Sequence, residues 1–312
     1  MSAEISVIDD QYVGQRVDNY LATRMKGLPK SRLYRAVRKG EVRVNKKRIK
    51  PEYRLQLGDE VRIPPLRLSE PEELEAPSRY LVKQLESRVL YESDNLLMIN
   101  KISGLSVHGG TGITSGLIEA LRYMRPDAKR LELVHRLDRG TSGCLLLAKK
   151  RHALLELHEM FLNRSIKKQY LALVQGCWKE SVKKVDAPLL KNHLKSGERV
   201  VKVDEGGKPS VTRFRVIRRF EGATLLEAIP LTGRTHQIRV HAACSGHPIL
   251  GDEKYGDDKV NKACQKNGLR RMFLHSSGLS FGLSKASNEE VNLCAPLDAD
   301  LIAYLNRLVP VD

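Results

Sequence analysis

A carboxylate flanked by two guanidinium groups is the feature of this sequence best suited to chemistry. Asp138 lies between Arg136 and Arg139, and a turn-forming segment, Gly-Thr-Ser-Gly at 140–143, follows directly. Nearby positive charge favours the ionised form of a carboxyl group, so we expect Asp138 to be charged at neutral pH. An ionised aspartate beside a rigid turn can act as a nucleophile or as a base. The same pattern also fits a surface ion pair followed by a turn or helix cap, and the local residues leave both interpretations open.

The residues after this turn predict the element that holds it. The range 144–148 is short and apolar, and three cations at 149–151 close it, which indicates a buried strand. The polar segment around Asp138 is therefore expected at the end of a sheet, where the hydrophobic core ends.

Six segments of the chain resemble, in order, the motifs of the RluA family of RNA pseudouridine synthases. Residues 135–143 are similar to the motif HRLDxxTSG, 100–108 to NKPSGxxVH, 167–174 to KxYxALV and 231–241 to TGRTHQIRVH. The ranges 246–252 and 272–276 complete the set. The chain has Ile102 where the family usually has proline, and Gly140 where many relatives carry an acid, and neither change removes a catalytic residue.

This resemblance implies that uridine in RNA is converted to pseudouridine. The bond between ribose C1′ and uracil N1 is broken, and the sugar is rejoined to uracil C5. No atoms are gained, so no cofactor is required, but the nucleotide must leave the RNA stack at a cost of about a few kcal/mol. By resemblance, Asp138 is the essential carboxylate, either as a nucleophile or as the base that takes the ribose 2′ proton. Arg239 matches the arginine that pairs with it, and Tyr170 matches the tyrosine that stacks on the target uracil.

The same resemblance assigns further residues to RNA and base binding. Arg136 matches the residue that fills the gap left by the extruded base, and Leu274 matches an apolar wall of the uracil pocket. Supports of the site or phosphate contacts are expected from His135, Thr141, Arg234, Thr235 and His236. Without the motifs, Tyr170 and Leu274 would be interpreted as ordinary core residues.

The amino-terminal part of the chain predicts a small basic module. Residues 11–67 hold sixteen Lys and Arg against five Asp and Glu. Two helices, the second starting at Lys30, and short strands near 41–44, 47–49 and 60–63 are expected. On the second helix, Arg32, Arg35 and Lys39 recur three and four residues apart and share one face. The module resembles the alpha-L RNA-binding module, like that of ribosomal protein S-four, which implies contacts to RNA shape and backbone.

Charge and hydropathy narrow the class of partner. The chain carries 54 Lys and Arg against 37 Asp and Glu, a net charge of +17, which favours a polyanion because phosphate contacts release counterions. No apolar run approaches the roughly 18 residues of a membrane helix, and no signal-peptide pattern opens the chain. We expect a cytoplasmic monomer with no membrane contact. Five cysteines without a Cys-x-x-Cys pair indicate free thiols and no metal site.

Helix and strand patterns beyond residue 88 follow no strict repeat, which predicts an α+β fold around a mixed or antiparallel central sheet. The acidic, proline-bearing stretch before it is typical of a linker. We expect an alpha-L RNA-binding domain at 13–77, a linker at 78–88 and a pseudouridine synthase catalytic domain at 89–312. The basic module points to the RluC-type branch of the family, whose substrate is large-subunit (23S) ribosomal RNA.

Two other functions fit parts of the sequence. A non-catalytic factor that binds ribosomal RNA during ribosome assembly would need only the charge and the small module. A hydrolase built on Ser142 and a histidine would need the pattern G-x-S-x-G, and Cys144 stands where its last glycine belongs. The glycine-rich range 101–116 lacks the Gly-Lys-Ser/Thr ending of a phosphate-binding loop.

Overall fold

The computed structural model divides the chain into two compact units, Met1–Glu75 and Ala76–Asp312. The residues that it describes are 3–9, 12–25, 28–65, 76–107, 116–128, 131–193, 199–284 and 287–311. The glycines predicted as part of a loop at 109–112, and the acidic residues at 70–75, lie outside these ranges.

The small unit is a three-stranded antiparallel sheet packed with two helices. Its elements are β1 (Glu4–Val7), α1 (Val17–Arg24), α2 (Lys30–Lys39), β2 (Arg43–Val44) and β3 (Glu60–Ile63), with strand order β1-β3-β2. Tyr20, Leu33 and Val37 meet Val61 in its buried core. The predicted strand at 47–49 is reduced to one bridge, Val44 to Lys47, because a tight turn with positive φ at both central residues lies between them.

The large unit is built on an eleven-stranded mixed sheet. The strands of the large unit, which include two outside this sheet, are β4 (Val89–Glu92), β5 (Leu96–Lys101), β6 (Glu132–Leu133), β7 (Ser142–Ala148), β8 (Lys167–Gln175), β9 (Lys184–Asp186), β10 (Leu189–His193), β11 (Arg199–Val203), β12 (Val211–Phe220), β13 (Ala223–Pro230), β14 (Leu274–Ser284), β15 (Ser287–Cys294) and β16 (Pro310–Val311). Its helices are α3 (Arg79–Glu86), α4 (Leu117–Met124), α5 (Arg151–Leu162), α6 (Gln237–Cys244), α7 (Asp258–Lys266) and α8 (Ala299–Leu305). The prediction of an α+β fold around a mixed sheet is confirmed.

Strand order explains how the sheet is assembled from distant parts of the chain. The main path runs β16-β12-β13-β8-β14-β7-β5-β4, with β15 beside β14, β6 beside β7, and β9 beside β12. Strands β10 and β11 form a separate hairpin. Among the described strands, β7 and β14 make the one parallel pair. This pair joins the strands before residue 149 to those after residue 166.

Both faces of β7 are covered, which explains its unbroken apolar sequence. Cys144, Leu146 and Ala148 pack with residues of α5 on one face, whereas Leu145 and Leu147 pack with residues of α4 on the other. All seven residues of the strand are buried. The predicted buried strand is confirmed, and the polar turn before it lies where the strand begins.

The range expected to be a linker, 78–88, contains a helix instead. The Ser78 side chain accepts a hydrogen bond from the Leu81 amide at 3.2 Å and caps α3. Leu85 is fully buried in the same hydrophobic cluster as Leu97 and Leu121. The prolines and acids upstream suggested a linker, but this serine cap and the apolar face behind it specify α3.

Gly143 tests the contact between β7 and β14, because it has φ +106° and a Cβ there would lie 2.1 Å from the Ser276 carbonyl oxygen. We expect Gly143→Ala to lower the free energy of unfolding by about 3 kcal/mol or more, from backbone strain plus overpacking. Gly222→Ala is the matched control, since Gly222 has φ +69° and no atom within 4 Å of an added Cβ. That control should cost only about 1 kcal/mol. Urea unfolding measures both, and equal losses would contradict the predicted clash.

Candidate active site

A cavity of about 340 Å³ lies at the start of β7 and is lined by most of the residues predicted as site residues from the sequence. Its lining comes mainly from the loop before β7, the first half of β8 and the turn that leads into α6. Phe161 of α5, Pro230 of β13 and Leu274 of β14 complete the wall. Ten predicted site residues line it, namely Asp138, Arg239, Tyr170, Arg136, Leu274, His135, Thr141, Arg234, Thr235 and His236. The other three predicted residues, Arg32, Arg35 and Lys39, lie on α2 of the small unit.

The Arg239 guanidinium binds two carboxylates. Its Nη1 lies 3.5 Å from Asp138 Oδ2, so the structure brings the two predicted partners together. Its Nε and Nη2 donate to both oxygens of Asp252 at 2.7 Å. The Asp252 side chain is fully buried, and its Oδ1 also accepts from the Lys254 and Tyr255 amides. Asp252 therefore fixes the plane of the guanidinium that faces Asp138, although the sequence had not indicated this role.

His236 approaches Asp138 from the same turn. Its backbone has φ +54°, unusual for a residue other than glycine, and its Nε2 lies 3.9 Å from Asp138 Oδ2. Its Nδ1 lies 2.7 Å from Tyr255 Oη. Burial lowers the pKa of His236, against the opposing effect of the Asp138 charge, so the imidazole is neutral at pH 7. His236 thus faces the carboxylate as a neutral imidazole, at a distance longer than a direct hydrogen bond.

Tyr170 and Leu274 form the apolar wall of the cavity. Tyr170 lies on β8, opposite Ser276 of β14, and Leu274 is the first residue of β14. Burial raises the pKa of Tyr170 to about 12, so the phenol keeps its proton at neutral pH. A protonated, buried phenol beside Asp138 can stack on a planar base and donate a hydrogen bond.

His135 and the exposed arginines have separate positions. His135 Nε2 accepts the Leu146 amide at 3.0 Å, and its ring packs 5.1 Å from that of Phe161. Burial lowers the pKa of His135 to about 4, so this neutral histidine supports the loop, and a charged contact with phosphate does not fit it. Arg136 and Arg234 are exposed at the rim, where Arg234 Nε donates to the Pro209 carbonyl.

Lys101 is a buried contributor that the sequence analysis left without a role. Its side chain is 0% exposed, and Nζ donates to the carbonyl oxygens of Ile102, Arg139 and Thr141 at 2.9–3.1 Å. Burial lowers the pKa of Lys101 to about 7, while the charge of Asp138 raises it. The lysine thus holds the turn between Asp138 and β7 in place. Its signal in the sequence is a cation that ends the apolar strand β5.

Ser142 does contact a histidine, but in a setting that does not suit hydrolysis. Its Oγ lies 2.9 Å from His275 Nδ1 and accepts from Arg271 Nη1, also at 2.9 Å. His275 Nε2 is 3.1 Å from the Ala295 carbonyl oxygen. Both Ser142 and His275 are 0% exposed, so no substrate can reach the hydroxyl. The pair ties the start of β7 to the strand beside it.

Three further findings concern ligands and membranes. All five cysteines are free. Within the described ranges, no three His, Cys, Asp or Glu side chains lie close enough together to hold a metal ion. None of the helices in the described part of the chain combines the length and apolar character needed to cross a membrane.

Family models identify the class of protein that this fold and cavity represent. Residues 95–244 match the RNA pseudouridylate synthase family, and residues 15–61 match the S4 domain. The chain is an isomerase that belongs to the RNA pseudouridylate synthase family.

Full-length relatives and solved structures agree with this assignment. The chain is 53% identical over 308 residues to the ribosomal large subunit pseudouridine synthase C of Pasteurella multocida, covering 98% of this chain and 94% of that protein. It is 54% identical over 311 residues to the protein of the same name from Escherichia coli K12, covering 98% and 97%. Human RNA pseudouridylate synthase domain containing 1 superposes with a TM-score of 0.60 at 29% identity, covering 75% of this chain and 91% of that one. Human RNA pseudouridylate synthase domain containing 4 also has a TM-score of 0.60, at 30% identity, covering 73% and 95%.

Lys101 gives the site a measurable dependence on pH. The unfolded chain keeps an ordinary lysine pKa, well above the folded value of about 7, so above pH 7 the unfolded state binds more protons. The contribution of Lys101 to the free energy of unfolding therefore rises with pH. We expect wild-type stability, relative to Lys101→Met, to increase by about 2 kcal/mol between pH 7.5 and 9.5. Urea unfolding at both pH values measures this difference, and parallel behaviour of the two proteins would contradict it.

Proposed function

We propose that this chain isomerises uridine to pseudouridine in large-subunit ribosomal RNA, with Asp138 as the essential carboxylate. The observation that carries the proposal is the Asp138–Arg239 pair at 3.5 Å, in one cavity with Tyr170 and Leu274. The names of the full-length relatives support the choice of RNA. The Asp138 side chain is 25% exposed, so a nucleotide that enters the cavity reaches its oxygens.

The geometry supports a defined role for each wall of the cavity. A flipped-out uracil stacks on Tyr170 against Leu274, which replaces the base stacking lost in the RNA. Asp138 then acts on the nucleoside, either by attack or by removal of the ribose 2′ proton, and both routes need the same ionised carboxylate. Arg239 supplies fixed positive charge beside it without reorganisation during the reaction. The C1′–N1 bond breaks, the C1′–C5 bond forms, the C5 proton leaves, and N1 gains a proton.

RNA contacts at the rim of the cavity and beyond it come from exposed cations. We assign Arg136, at the rim, to the space vacated by the flipped base, and Arg234 to neighbouring phosphate. On α2, Arg35 and Lys39 are exposed and Arg32 is half-buried with Glu41 at 3.6 Å. Such a row suits the phosphate backbone, which positions a protein without reading bases.

The proposed domain limits follow the two units. Residues 13–77 form the RNA-binding domain, and residues 89–312 form the catalytic domain. Helix α3, within 78–88, belongs with the catalytic domain because Leu85 packs in its core. Ribosomal RNA as substrate supports action in the cytoplasm, where we expect the protein to act as a monomer.

Removal of the Asp138 charge tests the catalytic role. We expect Asp138→Asn to lower the rate of pseudouridine formation by about 10³-fold or more while RNA affinity is retained. Release of tritium from a large-subunit rRNA transcript labelled at uridine C5 measures the reaction, and filter binding measures affinity. Asp127→Asn, at an exposed position, is the control and should match wild type. Normal turnover by the Asp138→Asn protein would contradict the catalytic role of Asp138, whereas the absence of turnover in the wild type, with RNA binding intact, would favour RNA binding alone.

Neutralisation of the α2 cations tests the small unit. We expect a triple variant with Arg32→Gln, Arg35→Gln and Lys39→Gln to bind rRNA more weakly. Its plot of log affinity against log salt should also flatten by about 2 to 3 units of slope, because each lost phosphate contact removes about 0.7 to 0.9.

A second triple variant controls for overall charge. Its substitutions, Lys259→Gln, Lys262→Gln and Lys266→Gln, remove three exposed cations from α7. This variant should change the slope much less. Equal slopes for the two triple variants would contradict a specific role for α2.

A further inference from the structure

Tyr255 touches both groups that face Asp138. Its hydroxyl oxygen lies 2.7 Å from His236 Nδ1, and its ring lies 5.0 Å from the Arg239 guanidinium carbon. A cation over an aromatic face at this distance is attracted to it. The Tyr255 amide also donates to Asp252, the buried partner of Arg239. Tyr255 therefore contacts His236 and Arg239, the two side chains that face Asp138. Its amide also binds Asp252, the carboxylate that holds Arg239.

The hydrogen bonds of Tyr255 favour one position for the proton of His236. The Val201 amide donates to Tyr255 Oη at 3.1 Å, and a backbone amide can only donate. Burial raises the pKa of Tyr255, so the hydroxyl keeps a proton that it can donate. A neutral imidazole has one nitrogen without hydrogen, which can accept this proton. His236 Nδ1 lies at hydrogen-bonding distance from the hydroxyl and fits that acceptor.

This arrangement sets the chemical character of the imidazole edge that faces the cavity. With Nδ1 as the acceptor, the His236 proton resides on Nε2, which lies 3.9 Å from Asp138 Oδ2. The other tautomer would turn a lone pair toward the carboxylate. A hydrogen-bond partner on one ring nitrogen commonly fixes the tautomer of a functional histidine in this way.

We propose that Tyr255 is a positioning residue for Asp138, which fixes the Nε2–H tautomer of His236 through its hydroxyl and the plane of Arg239 through its ring. This inference rests on the proposed function, because it concerns the orientation of the same carboxylate. Tyr255 acts only through His236 and Arg239. The Val201 amide belongs to β11, so the β10–β11 hairpin holds the Tyr255 hydroxyl in register with the site.

The isosteric change Tyr255→Phe keeps the ring and removes the hydroxyl. We expect kcat on a large-subunit rRNA transcript to fall about 10-fold, with little change in KM, since the lost partner orients a group near the reacting atoms. The melting temperature should stay close to wild type. Tyr123→Phe, which removes a hydroxyl from a side chain that is 60% exposed, is the matched control and should leave kcat unchanged.

A spectroscopic measurement makes the test independent of activity. Proteins labelled with ¹⁵N in the rings of their nine histidines give long-range ¹H–¹⁵N spectra that distinguish the two tautomers, and His236→Gln assigns the signal. We expect the Nε2–H form at His236 in the wild type and a mixture in Tyr255→Phe. An Nδ1–H form in the wild type, or a Tyr255→Phe protein with unchanged tautomer or unchanged kcat, would overturn the inference. If the wild type lacked synthase activity, the proposed function would fail, but the NMR spectra would still show whether Tyr255 fixes the tautomer of His236.

Discussion

The site depends on one guanidinium that is shared between two carboxylates. Arg239 directs its two short hydrogen bonds at Asp252, and only the longer contact of 3.5 Å is directed at Asp138. Asp252 is buried, and a buried carboxylate without a partner costs several kcal/mol, so Arg239 is held at this position in the folded protein. The paired side chains also fix the guanidinium plane. Asp138 therefore lies beside a guanidinium that Asp252 holds on its opposite edge, and the Nη1 edge of Arg239 remains directed at Asp138.

The backbone around Asp138 is held with similar firmness. Lys101 gathers three carbonyl oxygens around one ammonium group, and the Ser142 hydroxyl is bound by His275 and Arg271. These polar contacts are buried, so each lost partner would leave an unsatisfied group in the core. The turn that follows Asp138 is thus held by buried polar contacts on the side away from the cavity. On the cavity side, the Asp138 side chain and the rim arginines face solvent.

The sequence revealed the groups that face the cavity far better than those that hold them. The motifs located ten residues that line one cavity, because the chemistry restricts their types and local spacing. Lys101 donates hydrogen bonds to the carbonyl oxygens of Arg139 and Thr141, about forty positions away, and the Val201 amide donates to Tyr255, 54 positions away. Periodicity and turn signals are local, so they cannot predict such pairings. Helix α3 was missed because upstream prolines outweighed one serine cap, and α7 was missed because its apolar stripe is short, with Val260 and Cys264 as the members that pack in the core. For His135 the sequence left open a support of the site or a phosphate contact, and its bond to the Leu146 amide fits the support.

The place of β14 between β7 and β8 has a consequence for synthesis on the ribosome. A nascent chain that has emerged only as far as α7 already contains Asp138, Tyr170 and Arg239, yet the strand that separates β7 from β8 is missing. Pairing between distant segments must wait until those segments exist. The cavity consequently forms only after β14 has been made, so the enzyme stays inactive while the segments that precede β14 are being translated.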